Sequence, residues 1–166
     1  MEDAYFDTGA GKAWHSVLVG GNRAGGKGVF ALDVTDPSQF SEANAATVAL
    51  WEFDDSDDSD MGYSYSQASI GMMNNGRWAA IFGNGYNNNG DGSAKLFIVF
   101  LEGGLDGVWT PGSDYIELAT GAGTIVSSDC ANVSSNCNGL STPQAADSNG
   151  DSVIDRIYAG DLHGHL

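Results

Sequence analysis

Basic residues are scarce in this chain: six Lys and Arg stand against 22 Asp and Glu, for a net charge of −16. Phosphate backbones and anionic bilayers are gripped by clustered Lys and Arg, so nucleic acid and acidic lipid surfaces are excluded as partners. Long apolar runs are missing as well. No segment approaches the roughly 20 residues of a membrane-spanning helix, and the opening MEDAYFDTG has neither the basic nor the apolar region of a signal peptide. Helical periodicity is almost absent, with SEANAATVAL (41–50) offering one or two turns at most. Only two cysteines are present, so thiols alone cannot build a four-ligand zinc site.

Glycine is abundant instead, 24 residues against three Pro, and 42% of the chain is hydrophobic. That mixture predicts an all-β domain with a real core and many tight turns. The chain also repeats loosely. WHSVLVGGNRAGGKGVFALDVTD (14–36) and RWAAIFGNGYNNNGDGSAKLFIVFLEG (77–103) each read as strand, Gly-rich loop, strand, and DRIYAGDLHGHL (155–166) begins a third copy. The apolar stretches end at Gly20, Gly83 and Gly160, 63 and 77 residues apart. Val17–Val19, Ala79–Phe82 and Ile157–Ala159 are expected to occupy equivalent places. Further strands are expected at Leu50–Phe53, Ser69–Met73, Tyr115–Leu118 and Thr124–Val126.

A repeated antiparallel unit points to a β-propeller whose blades bury their faces on one another. The intervals exceed the usual period of about 40–50 residues, so inserted loops are expected. The acidic DDSDDSDMG (54–62) and a Cys-containing loop (127–140) fill that role. Residues 1–166 then form one partial propeller of about three blades. So few blades cannot close a ring, and they leave faces and edges for the remaining blades of a longer parent chain.

The stretch DSNGDSVID (147–155) carries the chemistry. Asp147, Asn149, Asp151, the Val153 carbonyl and Asp155 fall at positions 1, 3, 5, 7 and 9 of an EF-type calcium loop. Position 12 is Tyr158 rather than a bidentate Glu. Position 6 is Ser152, where Gly usually makes the turn, and a left-handed Ser costs about 1–2 kcal/mol. Three clustered carboxylates repel one another without a cation, which favours Ca2+. The alternative is a hairpin turn centred on Asn149-Gly150.

Other motifs carry less. GNRAGGK (21–27) matches a phosphate-loop spacing but runs into GVFALDV, a strand, so no helix N-terminus is available for phosphate. NGYNNNGDG (84–92) and the acids Asp54, Asp55, Asp57, Asp58 and Asp60 read as solvated loops, with metal binding as the alternative in each. His163 and His165 read as neighbours on one strand face, and His15 as an ordinary strand histidine. Cys130 and Cys137 bracket ANVSSN, a turn-rich spacer that favours a local disulfide over two buried thiols, and with it an oxidising compartment.

GKAWHSVLVGGNRAGGKGVFALDVTDP (11–37), LWEFDDSDDSDMGYSYSQASI (50–70), GRWAAIFGNGYNN (76–88) and NGLSTPQAADSNGDSVIDRIYAGDLHGHL (138–166) resemble, in that order, the C-terminal propeller of the PilC/PilY family of type IV pilus biogenesis factors and pilus-tip adhesins. The resemblance implies a modified propeller with a calcium site on Asp147, Asn149, Asp151, Val153 and Asp155. It further implies calcium-linked control of pilus extension and retraction. Minor pilins, and host or surface ligands, are the implied partners. The implied route is export through the periplasm to the outer membrane or pilus tip, so a chain without a leader reads as a piece of a longer protein. Ser152 and His165 depart from the family pattern. Two other readings stand beside it: the propeller of a calcium-dependent quinoprotein dehydrogenase, and a generic extracellular calcium-stabilised interaction module. The dehydrogenase calls for stacked Trp and often a vicinal disulfide, which Cys130 and Cys137 cannot form.

Overall fold

The computed structural model describes every residue except Ser128 and Val133. Four strands, β1 (Glu2–Asp7), β2 (Lys12–Gly21), β3 (Gly28–Asp33) and β4 (Ala49–Asp54), make an antiparallel meander in chain order. A second meander follows in β5 (Ser69–Met73), β6 (Trp78–Gly83), β7 (Lys95–Phe100) and β8 (Tyr115–Ala119). A third sheet holds two antiparallel strands, β9 (Gln144–Ala146) and β11 (Arg156–Tyr158). Between them the two-residue β10 (Val153–Ile154) leaves the third sheet and pairs in parallel with β5, Val153 opposite Met72. Two complete blades and the start of a third make a partial, unclosed β-propeller.

The stacking follows from alternation along the strands. In β6 and β7, Ala80, Phe82, Phe97 and Val99 face the first sheet and join Phe6, Val17, Val29 and Phe53 in one core. Their neighbours Ala79, Ile81, Ile98 and Phe100 face the other way and pack with Ala145, Ile154 and Ile157. Both faces of the second sheet are therefore buried, which is why AAIF and LFIVF are continuously apolar rather than alternating. The Phe53 ring lies edge-on to Phe82, Phe97, Trp109 and Tyr115. Trp51 and Trp109 donate their indole N–H groups to the Leu101 and Glu52 carbonyls, at 3.0 and 2.9 Å, so both tryptophans are structural.

Val17–Val19 and Ala79–Phe82 fall in β2 and β6, the second strand of each four-stranded meander, while the third expected strand is met only in part, since β11 ends at Tyr158. Residues 42–48 make a 3-10 turn and one turn of helix. GNRAGGK forms the β2–β3 hairpin loop around a short 3-10 turn at Arg23–Gly25. One expected strand fails. Thr124–Val126 makes only isolated bridges, Thr124 to Asn136 and Val126 to Asp129, because the chain there folds on itself rather than along a neighbour.

Candidate functional site

The loop after β9 is organised around one carboxylate. Asp147 Oδ1 accepts the Asn149 and Gly150 N–H groups at 3.1 and 2.7 Å, and Oδ2 accepts the Ser152 N–H at 2.7 Å. The Gly150 N–H, then the Ser152 N–H, hold the Asp147 carboxyl below its ordinary value. Asn149 Oδ1 accepts from Asp151 N and Asp151 Oδ1 from Val153 N, both at 2.9 Å, while Asp155 Oδ2 takes the Ser148 N–H and hydroxyl. Ser152 stands at φ +69°, the left-handed turn anticipated for position 6. The chain thus wraps its amides inward toward Asp147, and the flanking donors are all oxygens, a set that fits a hard divalent cation. Asp147, Asp151 and Asp155 are not gathered into one tight carboxylate cluster, however. The exit from the loop is tied on both sides. Asp155 N–H bonds the Ala146 carbonyl at 3.0 Å, and Ile154 packs against Gly71 of β5.

A tight cluster lies elsewhere, where two acids of the loop read from sequence as solvated meet Glu117 of β8. Asp58, Asp60 and Glu117 bring carboxylate oxygens within 4.8 Å of one another, a grouping able to hold a metal ion. A cation already stands there. Lys95 Nζ lies 2.6 Å from Glu117, 2.9 Å from Asp60 and 3.2 Å from Asp91, with its side chain 5% exposed. Tyr115 donates its hydroxyl to Asp58 at 2.9 Å. The acid run is therefore partly anchored in the molecule, because β7 and β8 present Lys95 and Tyr115 to it. Spacing in the sequence could not show that pairing, as Asp60 and Lys95 are 35 residues apart.

The asparagine-rich loop is a second correction. Asn84 and Asn88 are buried rather than solvated. Asn84 donates to the Asp60 and Ser93 carbonyls and accepts from Lys95 N and Leu140 N, all at 3.0 Å. It joins the acidic loop, β7 and the approach to the third sheet. Gly85, at φ +70°, and Gly139 complete this crossing, where a β-carbon at either position would run into the neighbouring backbone.

Comparison with known proteins gives the same architecture a family. The family model of the PilY1 beta-propeller domain matches residues 4–166. This chain belongs to the PilY1 β-propeller family. A type IV pilus biogenesis factor PilY1 homolog of Xylella fastidiosa (strain Temecula1 / ATCC 700964) is 41% identical over 174 residues, covering 100% of this chain and 10% of the relative. The type IV pilus biogenesis factor PilY1 of Pseudomonas aeruginosa (strain UCBPP-PA14) is 39% identical over 166 residues, covering all of this chain and 12% of the relative. The crystal structure of the Pseudomonas aeruginosa PilY1 C-terminal domain superposes with a TM-score of 0.71 at 39% identity, over 96% of this chain and 27% of that one. The chain thus spans about a tenth of the curated PilY1 proteins it matches.

Within this PilY1 propeller segment, Cys130 and Cys137 are joined, with Cα atoms 5.6 Å apart. His15 lies on β2, its Nδ1 2.7 Å from Asp33 Oδ2. His163 and His165 lie beyond β11, not on a strand. His165 N–H and Nδ1 instead meet the Asp161 carboxylate at 2.8 Å each, an arrangement set by the turn at Gly164. No helix among the described residues is long and apolar enough to cross a membrane.

Proposed function

We propose that this chain is a non-enzymatic, calcium-binding propeller segment of a type IV pilus assembly and tip protein, which regulates pilus extension and retraction and supports adhesion. Membership of the PilY1 family supports the pilus context. The observation that carries the calcium reading is the Asp147-centred loop, which turns through a left-handed Ser152 and presents only oxygen donors. Asp147, Asn149, Asp151 and Asp155 would hold the ion with the Val153 carbonyl. Bound there, Ca2+ would supply charge neutralisation to three carboxylates that otherwise repel. The chain's own residues transmit the effect. Val153 and Ile154 staple the loop exit to β5 of the second blade, and Asp155 N–H returns it to β9 of the third. Ordering the loop would thus join two blades. A ligand 100-fold above its Kd stabilises by about 2.7 kcal/mol, enough to bias such a local equilibrium.

The site's place on an exported, surface-displayed protein, with minor pilins and surface ligands as partners, belongs to the same proposal. The test uses the full-length protein containing this chain. Calcium titration raises its melting temperature, and the Asp151→Ala, Asp155→Ala double variant loses that rise. In the bacterium the same variant alters surface pilus number and twitching. A wild-type melting curve indifferent to calcium removes the ion. Normal pili in a variant proven calcium-blind remove the switch.

A further inference from the structure

The acidic cluster around Lys95 has a chemistry that the pilus reading does not use. Lys95 Nζ is nearly sealed from water, and it touches one carboxylate that is itself rigidly held. Asp60 is 15% exposed in its side chain; its Oδ2 meets Nζ at 2.9 Å and its Oδ1 accepts the Asp91 N–H at 2.9 Å. Its carbonyl is pinned by Asn84 Nδ2 at 3.0 Å, and its carboxylate lies against Gly90, where any side chain would displace it. A second carboxylate, Glu117, lies 2.6 Å from the same Nζ. Amine, carboxyl and proton carrier therefore converge on one buried point.

We propose that Lys95 and Asp60 condense to an intramolecular isopeptide bond, with Glu117 as the catalytic proton carrier. The Lys95 ammonium passes one proton to Asp60 Oδ2, leaving a neutral amine beside a carboxylic acid without changing the net charge. The Nζ lone pair then forms the bond to Asp60 Cγ, and negative charge gathers on Oδ1, where the Asp91 N–H already donates. Glu117 takes the second Nζ proton and delivers it to the Oδ2 hydroxyl as the Cγ–Oδ2 bond breaks. One water leaves, one proton stays on the amide nitrogen, and Glu117 returns to its starting state. No oxidant or co-reactant is needed.

Burial favours Asp60 over Asp91. Asp91 is 58% exposed and solvated, whereas Asp60 sits in a site that excludes most water. Both carboxylates take a backbone N–H on the oxygen turned away from Nζ, Asp60 from Asp91 at 2.9 Å and Asp91 from Ser93 at 2.7 Å, so burial decides between them. Burial also pushes the Glu117 carboxyl above its ordinary value, which suits a group that must hold a proton briefly. Burial opposes the Lys95 charge, but Glu117, Asp60 and Asp91 together hold the ammonium well above its ordinary range. The charged pair therefore predominates before reaction, and the neutral pair is a minority form. Fixed contact offsets that deficit, since oriented intramolecular reactions reach effective molarities of about 10⁵–10⁸ M. The bond forms once per molecule, so a slow step suffices.

The experiment is peptide mass mapping of the full-length protein purified from cells, after digestion with a protease of broad specificity. The expected result is a branched peptide joining Asp60 to Lys95, one water lighter than its two parts. Glu117→Gln, which keeps both reacting side chains, yields the two linear peptides while its near-ultraviolet circular dichroism stays native. Linear peptides in the wild type overturn the bond. A branched peptide persisting in Glu117→Gln overturns the role given to Glu117. Neither result depends on calcium, so this inference and the cation loop can fail separately.

Discussion

Two side chains decide much of the local order. The buried Asn84 satisfies two carbonyls and two N–H groups in three parts of the chain: the acidic loop, the start of β7 and Leu140. Replacing it with Ala strands the Asp60 carbonyl and the Lys95 and Leu140 N–H groups, while the Ser93 carbonyl keeps Asn88 Nδ2 at 3.3 Å; a buried group left unpaired costs about 1–3 kcal/mol. Even with partial relaxation, Asn84→Ala is expected to cost about 3 kcal/mol or more, measured as a lower denaturant midpoint. Ser152 presents the reverse case, a side chain at φ +69° where glycine would be relaxed. Ser152→Gly should stabilise the loop by up to about 1 kcal/mol, and on the proposed calcium reading it should tighten calcium binding in calorimetry. Unchanged affinity would mean that the turn carries no strain. The asparagine could not be read as buried from NGYNNNGDG, because polarity and turn propensity are the same for a solvated loop and for a polar hub.

At the scale of elements, legibility tracked length and apolar content. Leu50–Phe53, Ser69–Met73, Ala79–Phe82 and Tyr115–Leu118 fall within strands of the fold, since each buries at least one face. The short or polar strands β1, β9 and β10 left no such mark; β10 has two residues and exists only because β5 offers an edge. That small strand is where the proposed cation loop meets the second blade. Ile154→Ala removes its contact with the half-buried face of β5 and is expected to cost about 1–2 kcal/mol, less than a full core truncation. Hydrogen exchange should rise at Val153–Ile154 and around Ser69–Met73 together. An increase confined to the loop would argue against the staple. The Cys130–Cys137 link closes a neighbouring insert, and non-reducing peptide mapping should recover it. Free alkylation of both thiols in the native protein would refute it.

The whole molecule is strongly acidic, and its carboxylates determine how it responds to pH. Asp33, Asp36, Asp54, Asp91, Asp147 and Asp161 are all held below their ordinary 3.8, while Asp57 and Glu117 are raised by burial. For Asp161, burial pushes upward but the His165 N–H and ring, with the Asn138 amide, pull further down. A depressed carboxyl contributes stability that is complete above its unfolded value and is lost as pH falls through the folded one. The raised pair acts in the opposite sense, and the six outnumber it. The melting temperature should therefore fall as pH drops below 3.8, with protonation of Asp147 releasing the loop in the same window. A small gain from Asp57 and Glu117 as pH falls from neutral towards 3.8, then a decline below it, is the expected curve. Stability that still rises below pH 3.8 would show that self-repulsion among the acids dominates.

The sequence by itself determined the all-β class, the repeated blade, the family and the loop with alternating oxygens. These are properties of local pattern: apolar runs, glycine turns and residues a few positions apart. Only the tertiary structure decided that the acidic run meets Lys95, that Asn84 is an interior hub and that Val153–Ile154 join a neighbouring blade. Each of those pairings spans tens of residues, and nothing in local spacing records which distant strand will stand opposite once the sheets stack.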